Sequence, residues 1–156
     1  MVKYVMKTVS LNRKAYHDYA IQESVEAGIA LTGTEIKSIR AGRVNLRDAY
    51  AHPQGDELWL FNAHVAHYEA GNRYNHEPTR PRKLLIHRRQ IDELAGMVTQ
   101  KGFTIVPLKL YLKNGIAKVE LGLATGKKLY DKRESMSRRQ SERDMERAMK
   151  LAKQRF

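Results

Sequence analysis

Short alternations of apolar and polar residues dominate this chain, and helical spacing is confined to a few stretches. The first fifteen residues are loosely patterned, with Leu11-Asn12-Arg13-Lys14 leading into structure. Tyr16, Tyr19, Ile21, Val25 and Ile29 are aromatic or β-branched and predict extended chain from Tyr16 to Leu31, with Glu26-Ala27-Gly28 as a bulge or bend. Thr32, followed three residues later by Glu35, has the form of a capping box. With Ile36 and Ile39 on one face and Gly42 as a stop, it predicts a helix over 33–41. Leu46–Ala51 and Leu58–Tyr68 read as strands joined by the turn Pro53-Gln54-Gly55-Asp56. A polar loop from Gly71 to Pro81 follows, then a strand over Arg82–His87. Ile91, Leu94, Ala95 and Val98 give Arg88–Lys101 the spacing of an amphipathic helix, and Gly102 ends it. Phe103–Leu112 and Ile116–Ala124 are strands around Lys113-Asn114-Gly115, where Asn-Gly signals a tight hairpin.

Hairpin-linked strands with few helices predict a mainly β fold. The expected form is an OB-like antiparallel β-barrel of about six strands with two or three helices, closed to remove its edges. Beyond it, Met145, Met149, Ala152 and Phe156 form a narrow helical stripe in an otherwise polar tail. A face so narrow predicts a segment that is disordered alone and becomes helical against a polyanion.

Charge sharpens this division. The 156 residues include 29 Lys+Arg and 17 Asp+Glu, a net +12. Residues 1–125 hold 18 basic and 12 acidic side chains and residues 126–156 hold 11 and 5, so one fifth of the chain carries half the excess. The chain therefore reads as a body, 1–125, and a basic tail, 126–156. An excess of this size points to a polyanion, either nucleic acid or an anionic membrane surface. No apolar run approaches a membrane span, and Met1–Ser10 has no apolar leader core, which reads as cytoplasmic. With no cysteine there is neither a disulfide framework nor a thiolate metal site. His64 and His67, three apart on a strand, face opposite sides, so no metal or other cofactor is expected. P-loop, GxGxxG, GxSxG and paired-carboxylate patterns are absent, so the chain does not read as an enzyme.

Several cations are placed to meet phosphate. Lys37 and Arg40, three apart, share one helix face, although a merely solvated face explains them equally well. Arg80, Arg82 and Lys83, near Arg88 and Arg89, form the densest basic run of the body. Pro78 and Pro81 restrict the loop beside it and favour a phosphate-contacting strand edge over simple solubility. His17 and Tyr19, alternating along an expected strand, would share a face where rings can stack on unpaired bases. Half-buried strand positions look the same in sequence. In the tail, Gly126-Lys127-Lys128, Asp131-Lys132-Arg133, Arg138-Arg139, Arg143, Arg147 and Lys150 supply cations every few residues.

Leu11-Asn12-Arg13-Lys14-Ala15, Glu26-Ala27-Gly28-Ile29-Ala30-Leu31 and Gly33-Thr34-Glu35-Ile36-Lys37-Ser38-Ile39-Arg40 resemble successive signatures of the small protein B (SsrA-binding protein) family. Arg80-Pro81-Arg82-Lys83-Leu84-Leu85 and Gly126-Lys127-Lys128 with Asp131-Lys132-Arg133 continue the resemblance, in order, from about residue 10 to 135. It implies a monomeric, non-enzymatic factor of trans-translation. Such a factor binds the tRNA-like domain of tmRNA and meets small-subunit rRNA near the decoding centre and mRNA channel. It also implies that the body stands in for the missing anticodon arm and that the tail probes an empty mRNA channel. Asn12, Arg13 and Lys14 belong to the first signature, and Glu26, Leu85 and His87 fall at positions that bind tmRNA; some members carry Asn in place of His87. Gly126, Lys127, Lys128, Asp131, Lys132 and Arg133 match the tail segment needed for accommodation. Before the resemblance is added, the residues leave open an OB-type rRNA-binding protein, a metal-dependent nuclease and a membrane-surface protein.

Overall fold

Alternation in the last third of the body produces two long strands, β8 (Thr104–Lys113) and β9 (Ile116–Gly126). They are joined where Asn114 and Gly115 both take positive φ, 51° and 80°, as a tight hairpin demands. The computed structural model describes residues 5–68, 75–126, 140 and 143–150. The chain divides into two compact units, Met1–Gly126 and Lys127–Phe156. The first contains, before β8, β1 (Met6–Leu11), α1 (Arg13–Asp18), β2 (Tyr19–Ile29), α2 (Gly33–Arg40) and β3 (Val44–Asn45). Next come β4 (Tyr50–Gln54), β5 (Glu57–Phe61), β6 (His64–Val65), β7 (Arg82–Leu85) and α3 (Arg88–Lys101).

Six strands close into an antiparallel ring in the order β8-β4-β5-β7-β2-β9, with β9 returning to β8. Closure leaves no edge within the ring, as expected for an OB-like sheet of this size. β1 pairs with Lys109–Lys113 of β8, beyond the point where β4 meets that strand at Ile105, and β3 pairs with β6 as a separate ribbon. Inward residues Leu58, Leu60, Leu84, Ile105, Leu110, Val119 and Leu121 are nearly inaccessible, and Ile39 of α2 and Ile91 of α3 pack into the same core. Each such side chain contributes about 1.5–3 kcal/mol by leaving water.

The helices follow their caps. At α2 the Thr32 side chain accepts from the Glu35 N–H while Glu35 accepts from the Thr32 N–H, so the capping box is complete. Gly42, at φ 76°, turns the chain out of it. α3 has the bounds expected of it and ends on Gly102 in the left-handed region.

Elsewhere the pattern misleads. Residues 13–18 are helical, so the extended chain expected from Tyr16 begins only at Tyr19, and an edge strand precedes the helix. Asn12 decides this. It is buried, caps α1 by accepting from the Ala15 N–H at 3.2 Å, and donates to the carbonyls of Leu46 and Pro107 at 3.0 and 2.8 Å. Its side chain is spent inside the protein, which corrects the expectation that it contacts RNA. His17 consequently lies on a helix, so it does not share a strand face with Tyr19. Glu26-Ala27-Gly28 runs straight within β2, whose irregularity falls instead between Ile21 and Glu23. The long strand expected over Leu58–Tyr68 breaks into β5 and β6, with Asn62 at φ 62° between them.

Candidate nucleic-acid interface

β2 and β7 pair with Gly28 opposite Leu85, and this register brings Glu26, Leu85 and His87 around one hollow with Gln90 and Lys118. A Cβ on Gly28 would lie 3.2 Å from the Leu85 Cβ, so glycine lets Leu85 settle over β2. Leu85 remains 52% exposed, an apolar surface offered to solvent while its neighbour Leu84 fills the core. His87 sits at the N-cap of α3, where its exposed ring makes no capping bond. The first turn of that helix has no acidic residue and begins with Arg88 and Arg89. Arg88 pairs with Asp56 at 2.9 Å and Arg89 lies 3.7 Å from Glu93, so it is the helix N–H groups, with Lys118, that favour an anion at the hollow.

Glu26 is held on the opposite wall. Its carboxylate accepts the Tyr111 hydroxyl and lies 3.7 Å from the Lys113 ammonium, with 41% of the side chain exposed. The Tyr111 hydrogen bond holds the carboxyl below its ordinary value. Partial burial works against this, and the fields of Lys113 and Lys118 add to it. The Tyr111 phenol moves in the opposite sense, raised by burial and by donating to Glu26. Lys109 covers the Tyr111 ring at 5.3 Å and lies 3.5 Å from Glu120. Glu26 thus stays ionised as a pure acceptor among cations. A carboxylate so placed can take hydrogen bonds from 2′-hydroxyl or base N–H groups, while the surrounding lysines meet phosphate. Tyr111, Lys113 and Lys118 were not expected as site residues; the i, i+2 run Lys109-Tyr111-Lys113 was the available signal.

Lys37 and Arg40 both lie on the exposed face of α2, and the Lys37 ammonium sits 5.4 Å from the Tyr68 ring centroid. The basic run at 80–83 divides by function. Arg82 is fully buried, paired with the equally buried Glu35, and donates to the carbonyls of Ala63 and Pro78 at 2.7 and 3.0 Å. It cannot reach phosphate, which corrects its expected role. Arg80, 31% exposed, reaches the same Glu35 carboxylate, and Lys83 lies 3.3 Å from Glu57. Burial works to raise the Glu35 carboxyl, but hydrogen bonds from Arg80, the Thr32 N–H and Arg82 outweigh it and hold it below its ordinary value. On α1, Arg13 is exposed, Lys14 pairs with Asp48 at 2.7 Å and His17 with Asp18 at 2.8 Å, while Tyr19 is half-buried at the start of β2. Among the described residues no three His, Asp or Glu side chains converge as a metal site would require, and no helix is long and apolar enough to cross a membrane.

In the second unit residues 143–150 are helical, and Gln140 donates to Asp144 at 3.1 Å. Arg143, Arg147 and Lys150 are exposed along the helix, and Met145 and Met149 are 63% and 66% exposed. Gly126 closes β9. Lys127, Lys128, Asp131, Lys132, Arg133, Arg138 and Arg139, and the stripe residues Ala152 and Phe156, lie outside the described residues.

The family model described as "SmpB protein" matches residues 9–151. An SsrA-binding protein of Shouchella clausii (strain KSM-K16) is 62% identical over 144 residues, 92% of either chain. One of Chloroflexus aggregans (strain MD-66 / DSM 9485) is 62% identical over 143 residues, 91% of this chain and 90% of the relative. A solved chain from a structure described as "tmRNA-SmpB: a journey to the center of the bacterial ribosome" superposes with a TM-score of 0.67 and 50% identity. It covers 81% of this chain and 93% of that one.

Proposed function

This chain belongs to the SmpB protein family, and from that premise we propose that it binds the tRNA-like domain of tmRNA and delivers it to stalled ribosomes for trans-translation. It works in the cytoplasm as a binding factor, while peptide transfer belongs to the ribosome. Residues 1–125 grip the RNA and stand where an anticodon arm would be. Residues 126–156 probe the empty mRNA channel, with Gly126, Lys127, Lys128, Asp131, Lys132 and Arg133 engaging the ribosome first and Arg138, Arg139, Arg143, Arg147 and Lys150 tracking phosphates further along. Lys37, Arg40, Arg80, Lys83, Arg13 and Lys14 supply further phosphate contacts around the body, and His17 and Tyr19 offer rings to unpaired bases.

The observation that carries the reading is the meeting of Glu26, Leu85 and His87 at one hollow between β2, β7 and the start of α3. An acceptor, an apolar surface and a ring with two usable nitrogens suit a folded RNA better than they suit a simple polyanion. Glu26→Ala tests it. Removing a negative charge should strengthen any purely electrostatic contact with RNA. Here it should weaken binding of the tRNA-like domain by about 10–100-fold, the worth of a charge-assisted hydrogen bond. Fluorescence anisotropy of labelled RNA at physiological salt measures this, and tighter binding by the variant would contradict the role given to Glu26.

A further inference from the structure

The registers of β4, β5 and β7 set a second group of side chains on the outside of the ring. Ala51, Leu58, Leu60 and Leu84 point into the core, so their alternates point outward. Tyr50 lies opposite Phe61, His52 opposite Trp59, and Trp59 opposite Lys83. Tyr50 and Phe61 stack, with centroids 5.4 Å apart and planes 23° from parallel. Tyr50 is 40% exposed, His52 is exposed, and Trp59 and Phe61 are half-buried. The Trp59 N–H donates to Glu57 at 3.0 Å, and Lys83 lies 3.3 Å from the same carboxylate. The indole edge is thus tied down and the nearby negative charge offset, and the half-buried ring keeps part of its surface open to solvent. Two residues beyond Lys83 on the same outward side stands Leu85, on the wall of the Glu26 hollow.

We propose that this face is a stacking track for unpaired nucleotides of the same RNA that occupies the Glu26 hollow. The proposal rests on the function given above and extends its site to Tyr50, His52, Trp59 and Phe61. Three observations favour RNA over an apolar partner. The track is continuous with the hollow through Lys83 and Leu85. At its other end Tyr50 lines a cleft that also holds Lys14, Arg47, Asp18 and Asp48, where Lys14 pairs with Asp48 and Arg47 adds a further cation beside the aromatic rows. β4, β5 and β7 are neighbours in the ring, so the aromatic side chains and Lys83 share one outer strand face, the kind of surface on which OB-type folds take oligonucleotides. Bases offer a π-face whatever their identity, so a track of rings holds unpaired nucleotides without reading sequence.

Trp59 is the only tryptophan in the chain, so its emission reports on this face alone. The full chain is titrated with the tmRNA tRNA-like domain at physiological salt, and binding is followed by Trp59 emission and by anisotropy of the labelled RNA. The proposal predicts quenching along the same curve as the anisotropy, and roughly tenfold or greater loss of affinity in Tyr50→Leu and in Trp59→Leu. Tyr50 is exposed enough that its variant keeps the fold even if Trp59→Leu does not, and melting temperatures verify this. Full binding by anisotropy with unchanged Trp59 emission and parent affinity in Tyr50→Leu would overturn the track while leaving the hollow and its function intact. Quenching by a small-subunit rRNA fragment but not by the tRNA-like domain would overturn the assignment to this RNA. Binding no tighter than to an unrelated duplex would remove the underlying function and the track with it.

Discussion

Replacing Glu35 by alanine is expected to destabilise the folded body by about 3–5 kcal/mol, because it strands the buried Arg82 guanidinium without its counter-charge. A loss of that size lowers Tm by roughly 10–20 °C in a domain of this length. The effect exceeds that of an ordinary exposed ion pair because both partners are removed from water. Glu35 also closes the capping box of α2 and holds Arg80, so its loss loosens the helix that carries Lys37 and Arg40. Denaturant unfolding of the single and double variants separates the contributions. Glu35→Leu combined with Arg82→Met removes both charges and should recover most of the stability that either single change costs. Equal and additive losses would show that the pair is not coupled.

The same carboxylate makes the body acid-sensitive. Its folded pKa lies below the ordinary value of 4.5, so it releases its proton more readily folded than unfolded. The associated stability is fully present above the unfolded value and disappears as pH falls through the folded one. Unfolding free energy should therefore drop below about pH 4.5, and Glu35→Gln should flatten that part of the profile while lowering stability at neutral pH.

Truncation after Gly126 is expected to separate RNA binding from rescue. The cut preserves β9, which runs to Gly126 and completes the ring, and it removes the unit Lys127–Phe156. Affinity for the tRNA-like domain should stay within a few-fold of the full chain at physiological salt, with a shallower salt dependence because fewer cations remain. Tagging on stalled ribosomes should fall below detection. Loss of specific RNA binding in the truncated chain would overturn the division of labour between body and tail.

Much of the body was legible because its signals are local. The Thr32–Glu35 box, the apolar spacing of α3 and the Asn114-Gly115 turn each fix an element within a few residues, and the fold kept all three. α1 was not legible because Tyr16 and Tyr19 favour extended chain. The deciding fact was distant: Asn12 reaches the Leu46 and Pro107 carbonyls only after the chain has folded. Arg82 read as a phosphate contact because charge suggests the surface. Strand parity argued otherwise, since Arg82 lies two residues from the core residue Leu84 and so faces inward. The hollow itself could be assembled only by resemblance. Nothing in the sequence spacing links Glu26 to Leu85, His87 or Tyr111, whose meeting depends on the register of four strands.

The most direct test of the account is a competition experiment. Labelled tmRNA tRNA-like domain is bound to the full chain and challenged with excess ordinary tRNA and with unrelated duplex RNA across a salt series. A basic chain holds any RNA at low salt, and that hold weakens steeply as salt rises. The account predicts that the tRNA-like domain stays bound at physiological salt while neither competitor displaces it. Displacement by both competitors alike, with binding of all three RNAs lost together as salt rises, would contradict it.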